Sequence, residues 1–234
     1  MKKKILVTGG DGRFAKVLKK NNRKLDLFFA SKKECNILNL KSISKIIKKI
    51  KPKILIHCAG LSRPMNIHDK KISKSIDLNI IGTANITKMC KKYNIKLIYF
   101  STGYVYAGTK GNYSENDPVK PFNKYGLSKL GGECSVAMYS NSLILRITMT
   151  EKPFLHKNAY KNLKSNFMFH EDMVKILPKI INQKGILNVG GKSQSVFSFA
   201  KKGGFKVKGI KAKKNLAFPL NQTMNLAKLK RIIS

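Results

Sequence analysis

The residues Lys4-Ile5-Leu6-Val7-Thr8 form a short apolar run that stops at Gly9-Gly10-Asp11-Gly12, and Arg13-Phe14-Ala15 opens an amphipathic stretch directly behind it. A strand that enters a glycine turn and leaves as a helix commits a chain to parallel β-α-β units, since parallel neighbours need a crossover. The rest of the sequence keeps that rhythm. Residues 25–30, 54–57, 96–100, 142–146 and 185–189 read as buried strands. Between them lie helical stripes: Phe14, Val17 and Leu18; Ile43, Ile46, Ile47 and Ile50 before Pro52; and helices over 76–93, 122–139, 171–181 and 226–233. Residues 103–121 read as loop, and 148–169 have poor periodicity. The expected class is α/β, a doubly wound parallel sheet.

The turn also predicts a ligand. Gly9 and Gly12 allow a tight bend and close backbone approach to a pyrophosphate, Ala15 allows close helix–strand packing, and the helix start at Arg13 and Phe14 offers N–H groups to phosphate oxygens. The end of the second strand, where an acid commonly grips the ribose 2′-hydroxyl, reads Ala30-Ser31-Lys32-Lys33. A hydroxyl and cations suit a 2′-phosphate, so NADP(H) is expected over NAD(H), with NAD(H) a possible alternative.

A second constellation names a chemistry. Tyr125 and Lys129 stand four apart, hence on one helix face, and Ser101-Thr102 ends a strand upstream. An ammonium beside a phenol stabilises the phenolate and lowers the phenol's pKa, giving a proton donor or acceptor usable near neutrality. Beside a dinucleotide, that is hydride exchange with a carbonyl. Singly, Tyr125 and Lys129 are an ordinary surface pair, Thr102 a turn cap and Asn79 a helix-start residue; their joint order with the glycine turn is what carries the reading.

With these residues, and with Ala59-Gly60, Asn79-Ile80-Ile81-Gly82-Thr83 and Pro121-Phe122-Asn123-Lys124-Tyr125, the chain resembles the extended short-chain dehydrogenase/reductases, and within them the dTDP-4-dehydrorhamnose reductase group. The resemblance implies a Rossmann-type fold, with a dinucleotide-binding and catalytic domain over 1–147. A small, shortened C-terminal substrate lobe follows over 148–234, part of it returning to the sheet. It implies Tyr125 as proton donor and Lys129 as the residue that depresses its pKa and holds the nicotinamide ribose. Thr102 would orient the carbonyl oxygen, and Asn79 would support Lys129 through water. Ala59 and Gly60 would line the cofactor with Gly9, Gly12, Arg13, Phe14, Ala15, Ser31 and Lys32. Asn36 stands where the family often has an Asp that meets adenine.

The implied activity is reduction of a 4-keto-6-deoxy nucleotide sugar by NADP(H). The alternatives are an epimerase of the same superfamily and a non-catalytic, NADP-binding regulator like the regulatory subunit of methionine adenosyltransferase. Two departures stand out. The stretch that builds the family's sugar pocket is shortened to 148–169, and Gly103 replaces an acid often found after the Thr, which argues against dehydration. Arg146 is read as a phosphate contact or an ion-pair partner, Glu115 as loop solvation and Asp117 as a turn former.

Charge is the odd property: 48 Lys and Arg against 11 Asp and Glu give +37. The lysines are spread along the chain, with no basic arm or reading helix, so nucleic acid is an unlikely partner on this reading and general lysine bias the simpler cause. Cys35, Cys58, Cys90 and Cys134 show no metal or disulfide spacing, and His170-Glu171-Asp172 lacks a third ligand, so no metal is expected. The basic start at Met1 to Lys4 breaks at Gly9 before a signal core could form, and no apolar run approaches a span; a cytoplasmic protein, with a homodimer as a family-based guess, is expected.

Overall fold

Strands that are apolar at every position can be buried only if helices cover both faces of their sheet. The computed structural model, which describes residues 4–212 and 219–234, has that arrangement. In chain order come β1 (Lys4–Thr8), α1 (Arg13–Asn21), β2 (Asp26–Ala30), α2 (Leu40–Ile50), β3 (Ile54–His57), α3 (Ile67–Lys70) and α4 (Ile72–Ile76). A π-helical turn, Asp77–Ile81, leads into α5 (Gly82–Lys92); then follow β4 (Lys96–Phe100), a 3-10 turn at Gly103–Val105, α6 (Lys124–Ala137) and β5 (Ser142–Ile147). The remainder holds β6 (Met149–Thr150), β7 (Asn158–Tyr160), β8 (Lys164–Ser165), β9 (Met168–Phe169), α7 (His170–Ile180), β10 (Gly185–Val189), β11 (Gln194–Ser195), α8 (Val196–Lys202), β12 (Lys208–Ile210) and α9 (Ala227–Ile233).

Six strands pair in parallel in the order β10-β5-β4-β3-β1-β2, a Rossmann-type α/β sheet. Chain direction across the sheet reverses at β1, so a crevice opens beyond the carboxyl ends of β1 and β3, where such folds bind ligands. Alternate residues of each strand feed two separate cores. Ile5, Val7, Ile54, Ile56, Ile98, Phe100, Leu143 and Leu145 pack with Phe14 and Leu18 of α1 and Met173 and Leu177 of α7. Leu6, Leu55, Leu97, Tyr99 and Ile144 pack on the opposite face with Ile43, Ile46 and Ile47 of α2 and Ile86 of α5. Both layers hold fully buried aliphatic side chains, at roughly 1.5–3 kcal/mol each relative to exposure.

Three elements differ from the sequence expectation. The helix read over 76–93 is interrupted by the π-turn, whose one-residue excess is invisible to an apolar stripe that continues through it. Residues 148–169, read as irregular, form β6 to β9, which pair with one another or with β11 and β12. Helix α8 went unread; Ser195 caps it by accepting from the Ser198 N–H at 3.0 Å. Among the described residues no helix is long and apolar enough to cross a membrane.

Candidate active site

At the crevice the glycine turn is shaped by what lies across it. Gly9 adopts φ +67°, and a Cβ there would stand 2.8 Å from the Cα and N of Ala59, so a side chain is excluded by both strain and space. The Gly12 N–H closes the turn on the Gly9 carbonyl at 2.9 Å. Gly12 then caps α1 without a side-chain acceptor, and the first helical donor is Lys16 N–H to Gly12 O at 2.9 Å. The N–H groups of Arg13, Phe14 and Ala15 thus point out of the helix start, a suitable seat for an anion. Ala15 is wholly buried, and the Phe14 ring packs 4.9 Å from Phe100 and 5.6 Å from His170, so Phe14 offers a ligand its backbone alone. These features fit a dinucleotide.

Behind the turn, the Thr8 hydroxyl bonds His57 Nδ1 at 2.8 Å and accepts from the Ala59 N–H at 3.4 Å, fixing the carboxyl end of β3. Burial, with the nearby Lys129 ammonium, drives His57 down to about 3, so the imidazole is neutral and structural. Asn36, expected beside the adenine, turns the chain towards α2: its Oδ1 accepts from the Leu38 N–H at 3.1 Å. Ser31 and Lys32 follow β2 directly, beside the turn, because the Gly10 N–H donates to the Ala30 carbonyl at 2.8 Å.

The structure brings Thr102 and Tyr125 together. Thr102 follows β4, is buried, and accepts from the Tyr104 N–H at 3.2 Å, and its hydroxyl is close enough to the Tyr125 phenol to favour the phenolate. Tyr125 lies in the first turn of α6, which Asn123 caps through Gly126 N–H at 2.7 Å. A Cβ on Gly126 would stand 2.5 Å from the Tyr104 carbonyl, so glycine lets α6 seat against the Thr102 turn. Gly103 has a similar cause: its Cβ would meet Thr148 Oγ1 at 2.8 Å, leaving no room for the family's acid.

Lys129 overturns one expectation. Its ammonium is buried and lies 4.1 Å over the Tyr99 ring. Burial lowers Lys129 to about 7, against the pull of Cys58 and Glu133. The Tyr125 phenol is not depressed: burial, with Tyr104 close by, pushes it up to about 12, opposed by the Thr102 hydroxyl and by Arg63 and Arg13.

Asn79, expected to support Lys129 through water, also makes direct bonds. Its side chain accepts from the Leu61 N–H at 2.7 Å and donates to the Leu61 carbonyl and the Ser128 hydroxyl, both at 2.9 Å. Both amide hydrogens are therefore spent locking the Gly60-Leu61 loop to α6. Arg146 is an ion-pair partner: its Nη2 and Nε reach Glu133 Oε1 at 2.5 and 3.0 Å, both side chains being buried. Ser101 donates to the other Glu133 oxygen at 2.7 Å. Glu115, read as solvation, accepts from the Asn188 N–H at 2.9 Å and ties the loop to β10. Asp117 braces the turn by accepting from Ser114 N–H at 2.7 Å.

Several residues at the mouth escaped the sequence reading. Glu151 takes Arg13 Nε at 2.9 Å and Arg63 Nη1 at 3.0 Å, joining the start of α1, the loop after β3 and the segment after β6; Arg13 also donates to Ser62 Oγ at 2.8 Å. No spacing rule links these three segments. The His68 ring lies tilted 5.0 Å from the Tyr125 ring and bonds Ser75 at 2.7 Å. Glu34 folds back on Ser31, a pairing that the Ser-x-x-Glu spacing could have signalled. Among the described residues no group of three metal-ligating side chains occurs.

Comparison with known proteins follows the same lines. The family model described as the RmlD substrate binding domain matches residues 2–170. Methionine adenosyltransferase 2 subunit beta of Danio rerio is 29% identical over 158 residues, covering 62% of this chain and 47% of that protein. dTDP-4-dehydrorhamnose reductase of Burkholderia thailandensis is 29% identical over 137 residues, covering 57% of this chain and 45% of that protein. The chain thus aligns with less than half the length of these curated relatives. The crystal structure of dTDP-4-dehydrorhamnose reductase from Bacillus anthracis in complex with NADP superposes with a TM-score of 0.87 at 24% identity, over 99% of this chain and 93% of that one.

Proposed function

Since the chain belongs to the RmlD substrate binding domain family, we propose that it is a nicotinamide-dependent reductase of a nucleotide-linked 4-keto-6-deoxy sugar, with NADP(H) the expected cofactor. The observation that carries this reading is the buried Thr102 hydroxyl just beyond β4, close enough to the Tyr125 phenol to oppose the rise of its pKa, in a fold whose glycine turn packs Gly9 on Ala59. The dinucleotide supplies the hydride when bound. Gly9, Gly12 and the N–H groups of Arg13, Phe14 and Ala15 would hold its phosphates, Ser31 and Lys32 would meet its adenosine ribose, and Ala59 and Gly60 would line its path.

Tyr125 delivers the proton to the carbonyl oxygen as that oxygen gains charge, and Thr102 orients the same oxygen. With a phenol near 12, Tyr125 is fully protonated at neutral pH, which suits the reductive direction. Lys129, near 7 in the free protein, is the group that titrates in the working range. Its cationic form attracts the dinucleotide's anionic end and steadies the phenolate left after proton transfer. Asn79 is a positioning residue for the loop and α6.

The pH dependence follows from the sign of that shift. A lysine active when protonated loses its active form as pH rises through about 7, so kcat/KM for the reduced nicotinamide should be flat below that point and fall about tenfold per unit above it. A profile flat to pH 10 would assign control elsewhere.

A second reading, a dinucleotide-binding regulatory subunit, draws on the match to methionine adenosyltransferase 2 subunit beta. Incubating the full chain with NADPH or NADH and a panel of dTDP- and UDP-linked 4-keto sugars separates the two. Stoichiometric consumption of reduced nicotinamide with formation of the sugar alcohol is the expected result. Tight dinucleotide binding without turnover on any keto sugar would support the regulatory reading instead.

A further inference from the structure

The edge of the crevice at β2 carries an acid that the sequence reading left out. Ala30 ends β2, and its carbonyl accepts from the Gly10 N–H, so Ser31 starts beside the glycine turn, where dinucleotide folds read the 2′ position of the adenosine ribose. The donors there are the Ser31 N–H and hydroxyl. Glu34 already holds both: its Oε2 accepts from Ser31 N at 2.9 Å and from Ser31 Oγ at 2.8 Å, while the Glu34 N–H returns a bond to Ser31 Oγ at 3.3 Å. This reciprocal pairing is a capping box on a single turn. The two Ser31 bonds hold the carboxyl below its ordinary range, so it is an anion at neutral pH. Lys32 and Lys33, the cations expected to meet a 2′-phosphate, form no ion pair with it among the described residues.

An anion thus sits on the donors that a second anion would need. We propose that Glu34 is the residue that sets cofactor discrimination in this site: its carboxylate competes with the 2′-phosphate of NADP for Ser31 and offers its second oxygen as an acceptor to the 2′-hydroxyl of NAD. Binding NADP requires Glu34 to release Ser31 and turn outwards, leaving Lys32 and Lys33 to meet the phosphate. Binding NAD leaves the Ser31 pairing intact. Glu34 therefore keeps the site open to NAD in spite of its lysines, and narrows the preference that Ser31-Lys32-Lys33 alone would give. This inference rests on the crevice being a dinucleotide site.

The test is calorimetric titration of the full-length protein and its Glu34→Gln variant with NADP+ and with NAD+. Glutamine still accepts from Ser31 through its carbonyl oxygen, so the turn survives while the charge is removed. The expected result is a rise of about tenfold in the NADP+/NAD+ affinity ratio, the size of a close, solvent-screened charge repulsion. A ratio that stays put, or moves towards NAD+, overturns the proposal and leaves Glu34 a turn brace. Wild-type protein that takes neither dinucleotide overturns the reading of the crevice itself along with the proposal. Unchanged thermal unfolding of the variant confirms that the comparison is between like folds.

Discussion

Replacing Tyr125 by Phe should lower carbonyl reduction by about 10³-fold, within the span that a positioned general acid contributes, while dinucleotide affinity stays within about twofold. The substitution keeps the ring, and with it the packing on His68 at 5.0 Å and on Tyr104 at 6.1 Å. What goes is the hydroxyl beside Thr102, whose oxygen retains the Tyr104 N–H. The loss should therefore fall on kcat, with little change in stability or in the binding titration. Turnover at the wild-type rate would remove the phenol from the chemistry, and a matching loss of dinucleotide binding would mean the crevice itself had been disturbed.

The largest structural effect should come from Arg146→Met. Glu133 would remain buried, holding Ser101 but deprived of its counter-ion, and breaking one side of such a pair costs about 3–5 kcal/mol. For a chain of this size that corresponds to a melting temperature lower by roughly 10 °C. The arginine also reaches Tyr106 at 2.9 Å and the Glu115 carbonyl at 3.1 Å, so the loop carrying those residues should loosen. The double variant Glu133→Gln with Arg146→Met should recover part of the loss, because the stranded charge is gone. Thermal unfolding of the three proteins decides it: a single variant as stable as wild type would mean the pair contributes nothing net.

The sheet was legible because its strands are predominantly apolar on both faces, as burial under two helical layers demands, with few polar interruptions such as Arg146 in β5 and Asn188 in β10. The places of Thr102 just beyond β4 and of Tyr125 in the first turn of α6 were legible as well, since a strand end and a helix start can be read locally. Lys129 shows the limit. Helical periodicity places a residue on a face, but its 4.1 Å approach to Tyr99 depends on which strand lies under that face. Glu115 and Asn188 meet across 73 positions, and Arg63 and Glu151 across 88, distances over which no local pattern operates. Helix α8, 7 residues long, was not read at all.

The position of β10 has a bearing on how the protein is made. It pairs with β5 over Gly185 to Val189, and α9, still later in the chain, packs on β10 and α7. During synthesis the ribosome therefore releases five strands of the sheet well before the sixth. In that interval the nascent chain presents the outer edge of β5, an apolar strand with unsatisfied backbone groups, which is a template for pairing with other chains. Chaperone shielding, or prompt delivery of the last third of the polypeptide, is the cellular counterpart of a sheet that its own C-terminal portion must close.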